Sequence, residues 1–143
     1  MSRADLDGLM NMLVGFAQQM LGKQKSFIPF GASMSADGAI TAVAGDVGKE
    51  HPEAQEMIDF LTTALKQLAA AGTIRASGIC IDVRTIPPGQ TEKTDAILAR
   101  LEHKDGEAID VYLPYRKPFL GKTKYGEIFA AQGTPQIFSA GAA

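Results

Sequence analysis

Residues 95–115, DAILARLEHKDGEAIDVYLPY, admit one strand register, and that register constrains the rest of the chain. Before the Asp105-Gly106 turn, Ile97, Ala99, Leu101 and His103 alternate with Leu98, Arg100 and Glu102. After it, Ile109, Val111, Leu113 and Tyr115 alternate with Ala108, Asp110 and Tyr112. Alternation over this length marks half-buried strands joined in a hairpin. A two-residue loop at Asp105-Gly106 would set Leu101 against Asp110, Arg100 against Val111 and Glu102 against Ile109, opposing apolar to charged residues on the rungs near the turn. With a side-chain period of two, no buried face tolerates that register. A three-residue loop, Lys104-Asp105-Gly106, pairs Leu101 with Ile109, Ala99 with Val111 and Ile97 with Leu113. Gly106 then takes the left-handed position that closes such a loop. On the other face Arg100 meets Asp110 and Leu98 meets Tyr112.

The same reasoning solves a second hairpin at residues 27–44. The loop Ala36-Asp37-Gly38 pairs Met34 with Ile40, Ala32 with Ala42 and Phe30 with Ala44. Pro29 donates to no ladder, so this strand is expected to start at an edge or a bulge. Ahead of it, residues 2–21 have helical spacing in Leu6, Leu9, Met10, Leu13, Phe16, Ala17, Met20 and Leu21. Ser2 and Asp5 resemble a capping box, and Gly22 a C-terminal cap. A second helix starts at Pro52, with Glu53 and Glu56 near its positive end, and stops at Gly72. Its stripe is Met57, Ile58, Leu61, Ala64, Leu65 and Leu68. Residues 73–86 form a strand in which Ile79, Ile81 and Val83 share a face. Ile74 and Ala76 have the other parity, which predicts a bulge near Gly78. Residues 125–131 are a short helix or strand, Ile137 and Phe138 dock locally, and residues 139–143 fray.

The element order is therefore α-β-β-α-β-β-β plus a short C-terminal element, in a single domain over residues 1–143. We expect an α+β fold with a central antiparallel sheet of about five strands and both helices on one face. That face carries Ile79, Ile81, Ile97, Leu101, Ile109 and Val111. The order resembles the roadblock and profilin-like arrangement, in which helices cover a central antiparallel sheet. The strings PFGASMSADG (29–38), IDVRT (81–85), TDAI (94–97), EHKDG (102–106) and LPYR (113–116) resemble a family of small, uncharacterised bacterial proteins. The resemblance spans most of residues 27–127. It implies a bacterial single-domain protein and carries over no catalytic residue.

Composition narrows the function classes. A hydrophobic share of 45%, a charged share of 21% and a net charge of −2 are ordinary globular values and give no general nucleic-acid footprint. The lone Cys80 excludes an internal disulfide and reads as a small buried side chain. No apolar run approaches the roughly 18 residues of a membrane span, and no signal peptide is evident. A cytoplasmic protein without a membrane partner is the expectation.

No Walker phosphate loop or dinucleotide fingerprint occurs, so no cofactor is expected. His51 and His103 with nearby carboxylates would make a metal site only if the fold joined them; the plainer reading is a helix-start residue and a turn-flanking residue. Arg116, Lys117, Lys122 and Lys124 interleave with Tyr115, Phe119 and Tyr125. That stretch could hold single-stranded nucleic acid or an anionic ligand, but reads more simply as a solvated loop with its aromatics tucked into the core. Met12 and Val14 widen the first helix's stripe, so Met10, Met12, Val14 and Phe16 are expected to form a homodimer contact. The sheet face away from the helices should carry Asp82, Arg84, Leu98, Arg100, Glu102, Asp110 and Tyr112. Tyr115 and Arg116 border it, and this is the expected partner or ligand face. The resulting expectation is a non-enzymatic interaction or adaptor module. Its alternative is a small-molecule-binding protein or small enzyme using that polar face.

Overall fold

The computed structural model describes residues 2–43, 48, 50 and 52–138. In chain order it contains α1 (Ser2–Leu21), β1 (Phe30–Ser35), β2 (Ile40–Val43), α2 (Ala54–Ala70), β3 (Ile74–Thr85), β4 (Thr94–His103), β5 (Ala108–Arg116), β6 (Lys124–Tyr125) and β7 (Phe129–Gln132). The α+β class holds. The antiparallel sheet runs β2-β1-β3-β4-β5-β6, and β7 also pairs with β5. Among the described residues there are thus seven strands where about five were expected. The additions are short: β6 has two residues and β7 four, too few to alternate visibly.

Both hairpins adopt the registers that face matching requires. Leu101 pairs with Ile109, Ala99 with Val111 and Ile97 with Leu113. Met34 pairs with Ile40 and Ala32 with Ala42, while Ala44 lies outside the described residues. The turns are chemically alike. His103 N–H donates to Glu107 O (2.8 Å) and Gly106 N–H to His103 O (3.0 Å). At the other turn, Ser35 N–H donates to Ala39 O (2.8 Å) and Gly38 N–H to Ser35 O (2.9 Å). Gly106 and Gly38 sit at φ +103° and +96°, where a Cβ would crowd the following carbonyl. Asp105 and Asp37 brace their loops by accepting the N–H two residues on, at 3.0 and 3.4 Å.

The helices lie on opposite faces of the sheet, which corrects the one-face arrangement. Leu6, Leu9, Leu13, Ala17 and Leu21 of α1 pack on Ala76, Cys80, Ile97, Ala99, Leu101 and Val111. Leu61 and Leu65 of α2 pack on Ile74, Ile79, Ile81 and Leu98, joined by Ile137. The reason is the β3–β4 register, in which Ile81 pairs with Leu98 and Asp82 with Ile97. With both faces covered, β3 needs apolar residues at both parities, and its sequence cannot say which parity meets which helix. Gly78 lets α1 approach closely: a Cβ there would lie 2.5 Å from Leu13 Cδ1.

Other local expectations shift slightly. The ladder slips between Met34 and Ser35, where β3 contributes Arg75 as an extra residue; the bulge is there and not at Gly78. β1 lies inside the sheet, and Pro29 precedes its first paired residue. The N-cap of α2 is Glu53, in a capping box with Glu56, so Pro52 falls one residue outside. Gly72, at φ +74°, closes α2 with N–H bonds from Gly72 to Ala69 O and from Thr73 to Leu68 O. Ser2 and Asp5 do not cap α1 reciprocally. Ser2 Oγ donates to Glu107 Oε1 (2.6 Å), and Asp5 is engaged by Arg75 and His103. Residues 139–143, expected to fray, lie outside the described residues, as does most of the expected loop at 45–50.

Candidate functional site

The seven residues expected on one polar face, and the two expected to border it, are distributed over both. Leu98, Arg100, Glu102, Asp110 and Tyr112 share the α2 face. Asp82, Arg84 and Tyr115 share the α1 face, because Asp82 pairs with Ile97, Arg84 with Asp95, and Asp95 in turn with Tyr115. Arg116 ends β5.

On the α2 face most of these groups are already engaged. Leu98 belongs to the core under α2. Tyr112 stacks on Phe129, with ring centroids 4.9 Å apart and planes within 8°. The buried Glu102 carboxylate accepts backbone N–H groups from Gln136, Ile137 and Phe138 at 2.7–3.0 Å, clasping the C-terminal segment over the sheet. Arg100 and Asp110 line a cleft of about 120 Å³ beside Thr134, Gln136 and Ile137. Burial pushes the Asp110 carboxyl up, and Arg100 opposes this. The cleft is far below the roughly 300–1,000 Å³ of ordinary ligand sites.

On the α1 face, Tyr115 OH donates to Asp82 Oδ1 (2.6 Å) and Phe27 N–H to Asp82 Oδ2 (3.4 Å). Burial raises the pKa of Asp82 and, aided by Asp82 itself, that of Tyr115. The pair ties residue 27 to the sheet. Arg84 and Asp95, 3.9 Å apart and largely exposed, form a weak surface pair.

A third cluster was not anticipated from the sequence. Asp5 Oδ1 lies 2.8 Å from Arg75 Nη2, and Asp5 Oδ2 lies 2.9 Å from His103 Nε2. Asp105 N–H lies 3.2 Å from His103 Nδ1, which leaves Nε2 as the ring nitrogen that faces Asp5. Arg75, then His103, hold the Asp5 carboxyl below its usual range. The cluster joins the start of α1 to both hairpin turns, since Arg75 Nη1 also donates to Ala36 O (3.1 Å). Its only sequence signal is a carboxylate on the inner side of the first helical turn. His51, the other half of the metal reading, lies outside the described residues. Among the described residues no group of three or more His, Cys, Asp or Glu could hold a metal ion, and no helix is long and apolar enough to cross a membrane.

What remains open is the end of the sheet where β5 passes into β6. A cleft of about 650 Å³ lies between β6 and the β3–β4 loop, which carries Pro87 and Pro88; Lys93, Tyr115, Arg116, Lys124, Tyr125 and Ile128 are among the residues lining it. Beside it, residues 117–123 form a loop fixed at its base. Arg116 pairs with Lys124 and Tyr115 with Tyr125. The Lys117 ammonium donates to Leu21 O and, at 3.0 Å, to Gln24 O, at the C-terminal end of α1. A lysine there satisfies free carbonyls and the negative end of the helix dipole. Tyr115 tucks into the core as expected, but Phe119 does not: it is 100% exposed, and Leu120 is 81% exposed. The chain matches no protein-family model, no curated protein and no solved structure.

Proposed function

We propose that this chain is a non-enzymatic cytoplasmic adaptor that engages its partner through the β5–β6 end of the sheet. One observation carries the reading: Phe119 and Leu120 stand in water on a loop whose base is tied to both the sheet and α1. Covering a Phe or Leu side chain is worth about 1.5–3 kcal/mol each, a gain this fold leaves unused. The surrounding lysines and Arg116 would steer an acidic partner. The test is a photo-crosslinking amino acid at position 119, with position 18, an exposed Gln on α1, as control. Adducts at 119 and none at 18 are expected. No adduct at 119 in the native cell overturns the reading.

A homodimer through α1 is the second reading. Phe16 supports it, being 46% exposed while in edge contact with Phe30. Met10, Met12 and Val14 are half-buried against the chain's own core, which leaves Phe16 as the larger part of any such contact. Light scattering at micromolar concentration checks it: dimer mass that Phe16→Ser abolishes is expected, and monomer mass alone sinks it.

A further inference from the structure

We propose that the partner of this end of the molecule is an anionic lipid surface, entered by Phe119 and Leu120 from the β5–β6 loop; the inference rests on the reading of that end as the docking face. Shape is the first argument. The apolar pair stands exposed at the tip of the loop, and Arg116, Lys122 and Lys124 are exposed on its flanks. A tip of that form suits a deformable interface, in which apolar side chains sink below the headgroups while cations stay among them.

Charge is the second argument. Lys117 bonds to Leu21 O and Gln24 O, so it sets the loop beside the exposed Lys23 and Lys25, and Lys93 lies in the adjoining cleft with Arg116 and Lys124. Six exposed cations thus lie on the loop's flanks, at the end of α1 tied to it and in the adjoining cleft, in a chain whose net charge is −2. The nearby acids are Glu92 and Glu127 in the cleft wall and Asp95, which pairs with Arg84. A cytoplasmic leaflet supplies a continuous negative plane to match such a cluster. Single-stranded nucleic acid fits less well, because bases stack on successive aromatic faces. Here Leu120 offers none, and Tyr125 is turned toward Tyr115, its ring centroid 6.5 Å away. Nothing in this contact requires a membrane span, so it is compatible with the absence of a spanning helix among the described residues.

The experiment is co-sedimentation of the full chain with phosphatidylglycerol and with phosphatidylcholine vesicles. Binding to the former at least about tenfold tighter is expected. Phe119→Ser with Leu120→Ser should weaken it by about tenfold or more, since apolar burial supplies the anchoring. Lys122→Gln with Lys124→Gln should weaken it and flatten its salt dependence. All four positions are in or at the base of an exposed loop, and unchanged thermal melting would establish that the variants fold. No sedimentation with phosphatidylglycerol, or sedimentation indifferent to the Phe119 and Leu120 changes, overturns the lipid assignment. Crosslinking at position 119 separates the two levels. A protein or nucleic-acid adduct without a lipid adduct overturns the lipid assignment and leaves the docking face standing; no adduct overturns both.

Discussion

Both carboxylate oxygens of Glu102 lie 3.0 Å from the backbone nitrogen of Ile137. Gln136 and Phe138 add N–H groups at 2.7 Å each, so one buried side chain holds three consecutive amides. Hydrogen bonds to a charged group contribute about 1.5–3 kcal/mol each, but detachment of the segment into water limits the loss. Glu102→Ala should therefore cost about 2–4 kcal/mol in urea unfolding. The amides of residues 136–138 should lose hydrogen-exchange protection while β4 and β5 keep theirs. Unchanged protection at those amides would contradict the clasp.

Two turns of the same chemistry should respond differently to the same change. Gly106→Ala forces a Cβ into the left-handed region with nothing within 4 Å, and should cost about 1 kcal/mol. Gly38→Ala meets the same backbone strain and also places the Cβ 3.2 Å from Arg75 Nη2. That guanidinium is held by Ala36 O and Asp5 and yields poorly. Gly38→Ala should be the more damaging of the two in thermal melts; equal losses would mean that Arg75 moves freely.

Gly78→Ala tests the seat of α1. The added methyl would lie 2.5 Å from Leu13 Cδ1 and should cost about 1–3 kcal/mol by overpacking. In the double variant with Leu13→Ala the two losses should fall short of their sum, because each relieves the other's contact. Strict additivity would place the clash elsewhere.

Acid titration should separate two carboxylates of opposite sign. Asp5 is held below its ordinary 3.8 by Arg75 and His103, so its contribution is present above that value and is lost as pH falls through the folded pKa. Burial raises Asp82 above 3.8, so ionising it opposes folding. Its contribution falls as pH rises from 3.8 through the folded value and is regained on acidification. Asp5→Asn should lower stability at neutral pH and flatten the acid limb. Asp82→Asn should remove the gain seen as pH is lowered toward 4 or so. Chemical unfolding measured across the acid range reads both, and parallel profiles for the two variants would refute the assignment.

The hairpin registers were legible because a tight turn fixes them: once Gly106 and Gly38 occupy the third loop position, every partner follows. Residues 86–93, between β3 and β4, obey no such rule. With Ile79 and Ile81 on one parity and Ala76 and Cys80 on the other, hydrophobicity does not decide the register. From that one ambiguity came the misplaced helices and the single polar face. Alternation alone turns Glu102 outward, because its donors are backbone groups more than thirty residues away, which leave no mark in side-chain patterning. The basic and aromatic letters around Phe119 were visible, but exposure is decided by whether a neighbour covers the ring. Tyr115 has Asp82 to reach inward for; Phe119 has no polar atom and sits past the last paired residue of β5.

Cys80 lies at the middle of the sheet beneath α1, its Sγ 3.9 Å from Leu13 O and its thiol pKa raised by burial and by Asp82. It is the only thiol in the chain. A disulfide reagent added to the native protein can react only after the helix has lifted from the strands. The pace of that reaction is a clock for the parting of α1 from the sheet, wound into the sequence without any label being added.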